Sequence, residues 1–385
     1  MRVPSLPQLG RRLRTIAQEF AGSGPIHRRR LSDIGIRISV TGVRGKSTAV
    51  QWLHDILHDR DYDTYAKVTG VAPTSIYNGT RHEIERPAKV RLYENERQLR
   101  QFENVDAAVV ENQGIRGYTT RLVNEQFVRP HVVFLTNVRE DHMDTLGANR
   151  LQIARSLARS IPAGTHVISG ERDQPLRDYL EAELDRRDAT ITHVRVPEEN
   201  QDIPGAEIVY GLNPVLQAVD EPPLEEEKLM SYLDRMHVAW THLSNGRVFN
   251  AAAANDVQST ELIRRRLVAG DGDVVQPLLY LREDRRGRTA RFLDYLDALA
   301  DRGAIAQARV VGQDATLFDR HASFPAVVHD EDTESPADVL EAALADDWPV
   351  LVMGNTVSEF MQELLSIIES KAETDAETGV AQTSL

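Results

Sequence analysis

A glycine-rich segment with a single lysine carries the clearest chemical signal in the chain. It lies between a predicted buried strand and a predicted helix and reads Thr41-Gly42-Val43-Arg44-Gly45-Lys46-Ser47-Thr48. Glycines let backbone N–H groups close around phosphate oxygens, and the N-terminus of the helix adds partial positive charge. A lysine here neutralises the β- and γ-phosphates of a nucleotide, and the hydroxyl that follows can bind Mg²⁺.

This segment predicts a site for ATP and Mg²⁺. The predicted phosphate-binding residues are Gly42, Val43, Arg44, Gly45, Lys46, Ser47 and Thr48. The spacing G-x-x-G-K-S is shorter than the common P-loop pattern, which has four residues between the glycines. The alternative is a glycine turn that precedes an unrelated helix.

One carboxylate follows a second apolar run. Glu111 comes directly after residues 107–110, so its side chain should emerge at the carboxyl end of a strand. Ligands bind at that edge of open α/β sheets. Glu111 could hold Mg²⁺ there. The alternative is a solvated strand end.

A third polar segment follows the apolar run 132–135. It reads Thr136-Asn137-Val138-Arg139-Glu140-Asp141-His142-Met143-Asp144. A histidine and several carboxylates in one such loop suit a second divalent metal ion or a proton transfer, and His142 is the candidate ligand. A charged helix N-terminus, capped by Asp141 or Asp144, explains the same residues equally well.

The elements that position these residues alternate between apolar runs and amphipathic stretches, which predicts an α/β fold with a mainly parallel sheet. The predicted strands are 36–40, 107–110, 132–135, 274–281, 308–311 and 350–353, with 165–168 and 208–209 as weaker candidates. The predicted helices include 48–57 and 288–300. The Pro- and acid-rich stretch 197–227 is predicted to be a loop, and a second α/β unit is predicted to begin near Val274.

The two ends of the chain differ from the middle. Residues 1–34 place apolar residues at helical spacing among arginines, which predicts a basic amphipathic segment. Such a segment lies on an anionic membrane surface, docks on a membrane partner or packs on the protein's own core. Residues 367–385 are polar and acidic and are predicted to be disordered.

Length and composition set outer limits. The 385 residues are enough for two packed domains. The net charge of −14 argues against a protein that wraps nucleic acid. The chain has no cysteine, which excludes disulfides, thiolate zinc sites and cysteine nucleophiles and fits a cytoplasmic protein. No apolar run is long enough to span a bilayer.

Taken together, these motifs resemble the Mur ligase superfamily, and most closely its CapB-type ligase subunits of poly-γ-glutamate synthase. The resemblance is most specific at 42–48 and 136–144 and extends over roughly residues 36–365, including the segments 66–70, 78–79 and 84–86 in the stretch after the first helix. It implies a P-loop central domain with a parallel sheet (35–273), followed by a smaller Rossmann-like α/β domain (274–366). The residues that it adds to the nucleotide site are Asn137, Asn250, Asn255, Arg282 and Asp284.

The resemblance also implies a reaction. The family joins a carboxylate to an amine, forms ADP and passes through an acyl phosphate, here with Lys46, Glu111 and His142 as catalytic residues and Ser47, Glu111 and His142 as metal ligands. The candidate clamps for substrate carboxylates are Arg44, Arg116 and Arg121. No lysine lies between Lys89 and Lys228, so the carbamylated lysine that holds a second metal in many relatives has no counterpart here.

The implied substrate is glutamate or a poly-γ-glutamate chain, and the implied partner is a membrane-embedded synthase or export subunit at the inner face of the cell membrane. A homo-oligomer is compatible with the sequence. Two alternatives stay open. One is a P-loop phosphotransferase or NTPase, and the other is a nucleotide-gated subunit of a membrane export complex.

Overall fold

The chain folds into two compact units. The computed structural model describes residues 22–69, 73–86, 92–114, 116–140, 145–268 and 274–377. The first unit comprises Met1–Pro197 and Gly205–Leu233, and the second comprises Glu198–Pro204 and Asp234–Leu385.

The strands are numbered in chain order. They are β1 (Ile36–Thr41), β2 (Thr64–Val68), β3 (Thr74–Tyr77), β4 (Thr80–Glu83), β5 (Ala107–Glu111), β6 (Val132–Leu135), β7 (His166–Ser169), β8 (Thr190–His193), β9 (Thr241–Leu243), β10 (Gly246–Asn250), β11 (Gln276–Tyr280), β12 (Ala308–Val311), β13 (Ala326–His329) and β14 (Val350–Met353). The strands predicted at 132–135, 308–311 and 350–353 are confirmed to the residue.

The α-helices are numbered in the same way. They are α1 (His27–Asp33), α2 (Lys46–His58), α3 (Glu94–Leu99), α4 (Gly117–Leu122), α5 (Arg150–Ala158), α6 (Gln174–Asp185), α7 (Ala206–Gln217), α8 (Glu226–Asp234), α9 (Val257–Leu267), α10 (Arg286–Asp301), α11 (Ala315–His321), α12 (Pro336–Leu344) and α13 (Glu359–Glu377). Gly22–Ile26 and Val123–Val128 form π-helical turns, and Glu198–Asn200 and Glu283–Arg285 form 3₁₀ turns.

The first unit is built on an eight-stranded sheet in the order β4-β3-β2-β5-β1-β6-β7-β8. The six strands β2, β5, β1, β6, β7 and β8 run parallel to one another. β3 runs antiparallel to both of its neighbours, β2 and β4. β1 is central, because it pairs with β5 on one side and β6 on the other. These three strands are buried along almost their whole length, and Arg37 of β1 is the one residue in them that is only partly buried.

The second unit is built on a six-stranded sheet in the order β13-β12-β11-β14-β10-β9, parallel except for β9. One face is covered by a core that contains Phe292 and Leu296 of α10. The other face is covered by Leu340 of α12 and Leu364 of α13. The α/β fold with two mostly parallel sheets is therefore confirmed.

The boundary between the units lies earlier in the chain than position 274. The hairpin of β9 and β10 joins the second sheet, because Val248 pairs with Val350 of β14. Apart from the short segment Glu198–Pro204, the second unit therefore begins at Asp234. The sequence does not indicate which sheet the β9–β10 hairpin joins, because its pairing with β14 connects residues about a hundred positions apart.

Two local predictions are wrong. Ile208 and Val209 belong to α7 rather than to a strand, and α7 occupies part of the stretch predicted to be a loop. A run of two apolar residues does not distinguish strand from helix, whereas the buried residues Leu212 and Val215 continue the helical spacing.

The C-terminal end of the chain is more ordered than predicted where the structure describes it. Helix α13 continues to Glu377, so residues 367–377 are helical, and Ile368 is buried in the core of the second unit. In the segment 1–34, Leu31 and Ile34 pack in the core of the first unit. Residues 1–21 and 378–385 lie outside the described residues. Within the described ranges, no helix is both long enough and apolar enough to cross a bilayer.

Candidate functional site

The glycine-rich loop connects β1 to α2 at the carboxyl edge of the first sheet. Gly42 and Gly45 have φ angles of 110° and 75°, in the region that favours glycine. A Cβ at Gly42 would lie 2.4 Å from Thr136 Oγ1, so the neighbouring strand leaves no room for a side chain. Gly45 directly precedes α2, and Lys46 is the first residue of that helix. The loop thus presents a helix N-terminus and a lysine, as the sequence predicted.

Asn137 holds this loop from the neighbouring strand. Its Oδ1 accepts a hydrogen bond from the Arg44 N–H at 3.0 Å, and its Nδ2 donates to the Arg44 carbonyl at 3.3 Å. Its backbone carbonyl accepts from the Val43 N–H at 3.2 Å. The amide of Asn137 thus contacts the backbone of the predicted phosphate-binding loop, and its contact with nucleotide stays a prediction.

Glu207 orients Asn137 and was missed in the sequence. This buried carboxylate in the first turn of α7 accepts a hydrogen bond from Asn137 Nδ2 at 3.0 Å. Glu207 reaches Asn137 because it lies on α7, and α7 lies in a stretch predicted to be a loop. The pairing spans seventy positions in sequence, and no local pattern indicates it.

Glu111 and Ser47 meet as predicted. Ser47 Oγ donates to Glu111 Oε2 at 2.8 Å, and the Thr69 N–H donates to the same oxygen at 3.0 Å. The side chain of Glu111 is buried. A hydroxyl oxygen beside a carboxylate oxygen at a phosphate-binding loop is the donor set that Mg²⁺ uses in phosphate sites, so these residues fit the ion.

His142 cannot be placed in this arrangement, because residues 141–144 lie outside the described residues. Among the residues that are described, no cluster of three or more histidine, aspartate or glutamate side chains is arranged to hold a metal ion. The role of His142 as a ligand stays a prediction.

The predicted nucleotide contacts downstream all belong to the second unit. Arg282 forms two hydrogen bonds of 2.8 Å with Asp284 just after β11. Asn255 has a φ of 57° and accepts from Arg288 at 3.2 Å, whereas Asn250 Oδ1 accepts from the Ala252 N–H. A shallow pocket at the carboxyl ends of β11 and β14 is lined by residues that include Arg282, Arg285, Arg288 and Asn355.

The candidate arginine clamps differ in their surroundings. Arg121 is exposed and pairs with Glu125 at 2.6 Å, one helical turn away. Arg116 is exposed just before α4, and Arg44 is partly buried in the loop itself. These surroundings do not show whether the three side chains bind a substrate, so the clamp roles stay predictions.

Comparison with known families decides which kind of P-loop protein this is. Residues 40–230 match the Mur ligase middle domain, and residues 236–371 match the poly-gamma-glutamate synthase CapB C-terminal domain. The chain is a Mur ligase family protein of the CapB type. This family consists of ATP-dependent, ADP-forming amide ligases.

Two curated relatives are similar to this CapB-type chain in sequence. One is the capsule biosynthesis protein CapB of Bacillus anthracis, 26% identical over 45% of this chain and 39% of the relative. The other is PGA synthase CapB of Bacillus subtilis, 25% identical over 71% of this chain and 75% of the relative. The match to the B. anthracis protein thus spans well under half of that protein.

Solved structures share the fold over nearly the whole CapB-type chain. E. coli FolC in complex with ADP matches with a TM-score of 0.66 at 16% identity. The match covers 92% of this chain and 94% of the FolC chain. MurF from Acinetobacter baumannii has a TM-score of 0.62 at 14% identity, with 92% and 81% covered. The Yersinia pestis folylpolyglutamate synthase/dihydrofolate synthase, complexed with AMPPNP and a Mn ion, has a TM-score of 0.61 at 16% identity, with 96% and 93% covered. Identities this low show the fold alone, and homologues with it bind ATP and a divalent metal.

Proposed function

We propose that this chain joins glutamates through γ-amide bonds at the expense of ATP, as the catalytic subunit of a poly-γ-glutamate synthase. The observation that carries the proposal is the contact of Ser47 with Glu111 at a phosphate-binding loop, in a chain whose second unit matches the CapB C-terminal domain. The two curated relatives, a capsule biosynthesis protein and a PGA synthase, support the choice of substrate.

In the first step ATP lies with its phosphates on residues 42–48, and Lys46 neutralises the terminal phosphates. Mg²⁺, held by Ser47 and Glu111, would supply further charge neutralisation on the phosphate oxygens. An oxygen of the acceptor γ-carboxylate attacks the γ-phosphorus. The bond to the β–γ bridging oxygen breaks, and its electron pair leaves with ADP.

In the second step the amine nitrogen of the incoming glutamate attacks the carbonyl carbon of the acyl phosphate. The bond from that carbon to the phosphate oxygen breaks, phosphate leaves with the electron pair, and the nitrogen releases a proton. Arg44, Arg116 and Arg121 are proposed to bind substrate carboxylates, because guanidinium pairs with carboxylate through two parallel hydrogen bonds. His142 is proposed to ligate or orient a second divalent ion.

The second unit is proposed to contribute to nucleotide binding through Asn250, Asn255, Arg282 and Asp284. Arg282 already has its guanidinium fixed by Asp284, which reduces the entropy lost when it contacts a phosphate or base. The basic segment 1–34 is proposed to hold the chain at the inner face of the membrane, where a membrane-embedded synthase or export subunit is the proposed partner. Flotation with anionic vesicles, with and without residues 1–25, tests the membrane association.

Hydroxamate trapping tests the reaction. Purified protein is given ATP, Mg²⁺, hydroxylamine and either glutamate or γ-linked glutamyl oligomers, and ADP is measured in parallel. We expect hydroxamate and ADP in equal amounts, in solution or in native membranes. Lys46→Ala should abolish both, and Lys228→Ala, which removes an exposed lysine 3.7 Å from Asp59, should change neither. ADP release without hydroxamate formation would favour the alternative interpretation of the chain as an NTPase or phosphotransferase.

A further inference from the structure

A group of three charged residues, two of them buried and one partly buried, lies near Glu111, and the proposed mechanism does not use it. We call it the Lys67 cluster, and it consists of Lys67, Arg86 and Glu94. Lys67 has 0% of its side chain exposed and pairs with Glu94, which is 3% exposed, at 2.9 Å. Lys67 Nζ also donates to Asn95 Oδ1 at 2.8 Å and to Gln113 Oε1. All three donors of the ammonium are therefore satisfied.

Burial lowers the pKa of Lys67 to about 8, and the neighbouring Glu94 opposes this shift. An unpaired lysine in such a place would be strongly destabilising. The complete set of acceptors shows that the site is built for this side chain. Two features of the sequence draw attention to Lys67: it is one of only five lysines in the chain, and it lies in the segment 66–70, which belongs to the family resemblance.

Arg86 extends the cluster to the backbone of Thr69. Its Nε and one terminal nitrogen donate to the two oxygens of Glu94, each at 2.8 Å, and its other terminal nitrogen donates to the Thr69 carbonyl at 3.3 Å. Glu94 thus binds two cations. Although burial raises its pKa, the hydrogen bonds from Arg86 and Lys67 lower that pKa below its ordinary value.

Both ends of the cluster reach the surroundings of Glu111. Arg86 fixes Thr69 through its carbonyl, and the N–H of Thr69 donates to Glu111 Oε2 at 3.0 Å. Lys67 fixes Gln113, which lies two residues after Glu111. The carboxylate that meets Ser47 is therefore supported by the cluster through Thr69, and the same cluster holds Gln113 in the segment that follows Glu111.

We propose that Arg86, Glu94 and Lys67 are positioning residues that set the orientation of the Glu111 carboxylate for Mg²⁺. The proposal rests on the proposed role of Glu111 as a metal ligand. Mg²⁺ demands nearly ideal octahedral geometry, so a small rotation of one ligand weakens binding. Loss of outer residues that orient a metal ligand lowers metal affinity by about 10–100-fold.

Arg86→Lys is the sharpest test, because it keeps the positive charge beside Glu94 but loses the planar fork that also reaches Thr69. Arg60→Lys is the matched control. Arg60 likewise binds a carboxylate, that of Glu221 at 2.8 Å, and a backbone carbonyl, that of Pro222 at 2.7 Å. It does so in the same unit but outside the Lys67 cluster.

The first readout is binding, measured as free Mn²⁺ by electron paramagnetic resonance in the presence of a non-hydrolysable ATP analogue. We expect Arg86→Lys to weaken Mn²⁺ binding by about 10–100-fold. The affinity for the analogue in EDTA should stay unchanged, because the loop 42–48 is intact. Arg60→Lys should bind Mn²⁺ as the wild type does. Equal weakening of the analogue without metal, or wild-type Mn²⁺ binding by Arg86→Lys, would overturn the proposal.

The second readout is activity as a function of Mg²⁺ concentration. Arg86→Lys should raise the Mg²⁺ concentration for half-maximal hydroxamate formation by the same factor and leave the rate at saturating Mg²⁺ within a few-fold of wild type. Lys67→Met removes the buried ammonium and leaves Glu94 paired with Arg86, so no charge in the cluster loses its only partner, and this variant should behave in the same direction. Wild-type Mg²⁺ dependence in both variants overturns the proposal.

Glu111→Gln separates the two levels of inference. If Glu111→Gln abolishes metal-dependent binding and Arg86→Lys does not weaken it, the positioning role is wrong and the metal site stands. If metal-dependent binding survives Glu111→Gln, then the proposed metal site is wrong and the positioning role with it.

Discussion

Alanine at Gly45 should destabilise the first unit far more than alanine at Gly164. The two glycines have nearly the same backbone conformation, with φ angles of 75° and 72°. A Cβ at Gly164 would meet no atom within 4 Å. A Cβ at Gly45 would lie 1.8 Å from Ile208 Cδ1, on a buried side chain of α7. The pair therefore separates the cost of backbone conformation from the cost of the contact.

The expected magnitudes follow from these two terms. A left-handed conformation costs an alanine about 1–2 kcal/mol, and this term lowers the free energy of unfolding of both variants. Displacement of a buried side chain by an added methyl group costs a further ~1–3 kcal/mol, and this term applies to Gly45→Ala alone. We expect Gly45→Ala to lower the free energy of unfolding by about 2–5 kcal/mol and to weaken ATP binding, because the strain lies in the phosphate-binding loop.

Urea denaturation followed by tryptophan fluorescence measures this loss. The first unit contains one tryptophan, Trp52, which is buried in α2 and packs against Tyr232 with 4.8 Å between ring centroids. In a background in which Trp240 and Trp348 are phenylalanine, the fluorescence reports the first unit alone.

A double-mutant cycle with Ile208→Val tests the cause directly. This change removes the Cδ1 atom that the new methyl would meet, and in the wild-type background it should cost about 1 kcal/mol. In the Gly45→Ala background it should restore stability, with a coupling of about 1–2 kcal/mol. The reasoning is refuted if Gly45→Ala is no more destabilising than Gly164→Ala, or if the two changes in the cycle are additive.

Two further predictions concern the second unit. Although burial raises the pKa of Glu261, hydrogen bonds from Arg264 and Arg265 lower it from 4.5 to about 2. Since the folded pKa is depressed, the contribution of about 3 kcal/mol is present above pH 4.5 and is lost as the pH falls toward 2. Glu261→Gln should therefore show its full deficit in urea denaturation at pH 7 and a shrinking deficit below pH 4.5; a deficit that does not change with pH contradicts this account. Asp256 caps α9 through its side chain, so Asp256→Ala should cost about 1 kcal/mol and Asp256→Asn much less. The fluorescence of Trp240, which donates to the last residue of α9, should follow the loss, and equal effects of the two changes would exclude a capping role.

The sequence by itself determined the features that depend on neighbouring residues. The phosphate-binding loop could be predicted, because Gly42, Gly45 and Lys46 act through local backbone geometry and a helix that starts within the same segment. The convergence of Glu111 with Ser47 could be predicted as well. Parallel strands bring their carboxyl ends to one edge, and β5 proved to be the neighbour of β1.

Tertiary structure alone decided which side chains support that loop. The contact of Glu207 with Asn137, the approach of Ile208 to Gly45 and the place of the β9–β10 hairpin in the second sheet all join residues far apart in sequence. The Lys67 cluster is a further case, because Lys67 of β2 and Glu94 of α3 can be buried only as partners, and Arg86 joins the same carboxylate from a third part of the chain. Such pairings depend on where helices and strands pack, and no periodicity within one segment carries that information.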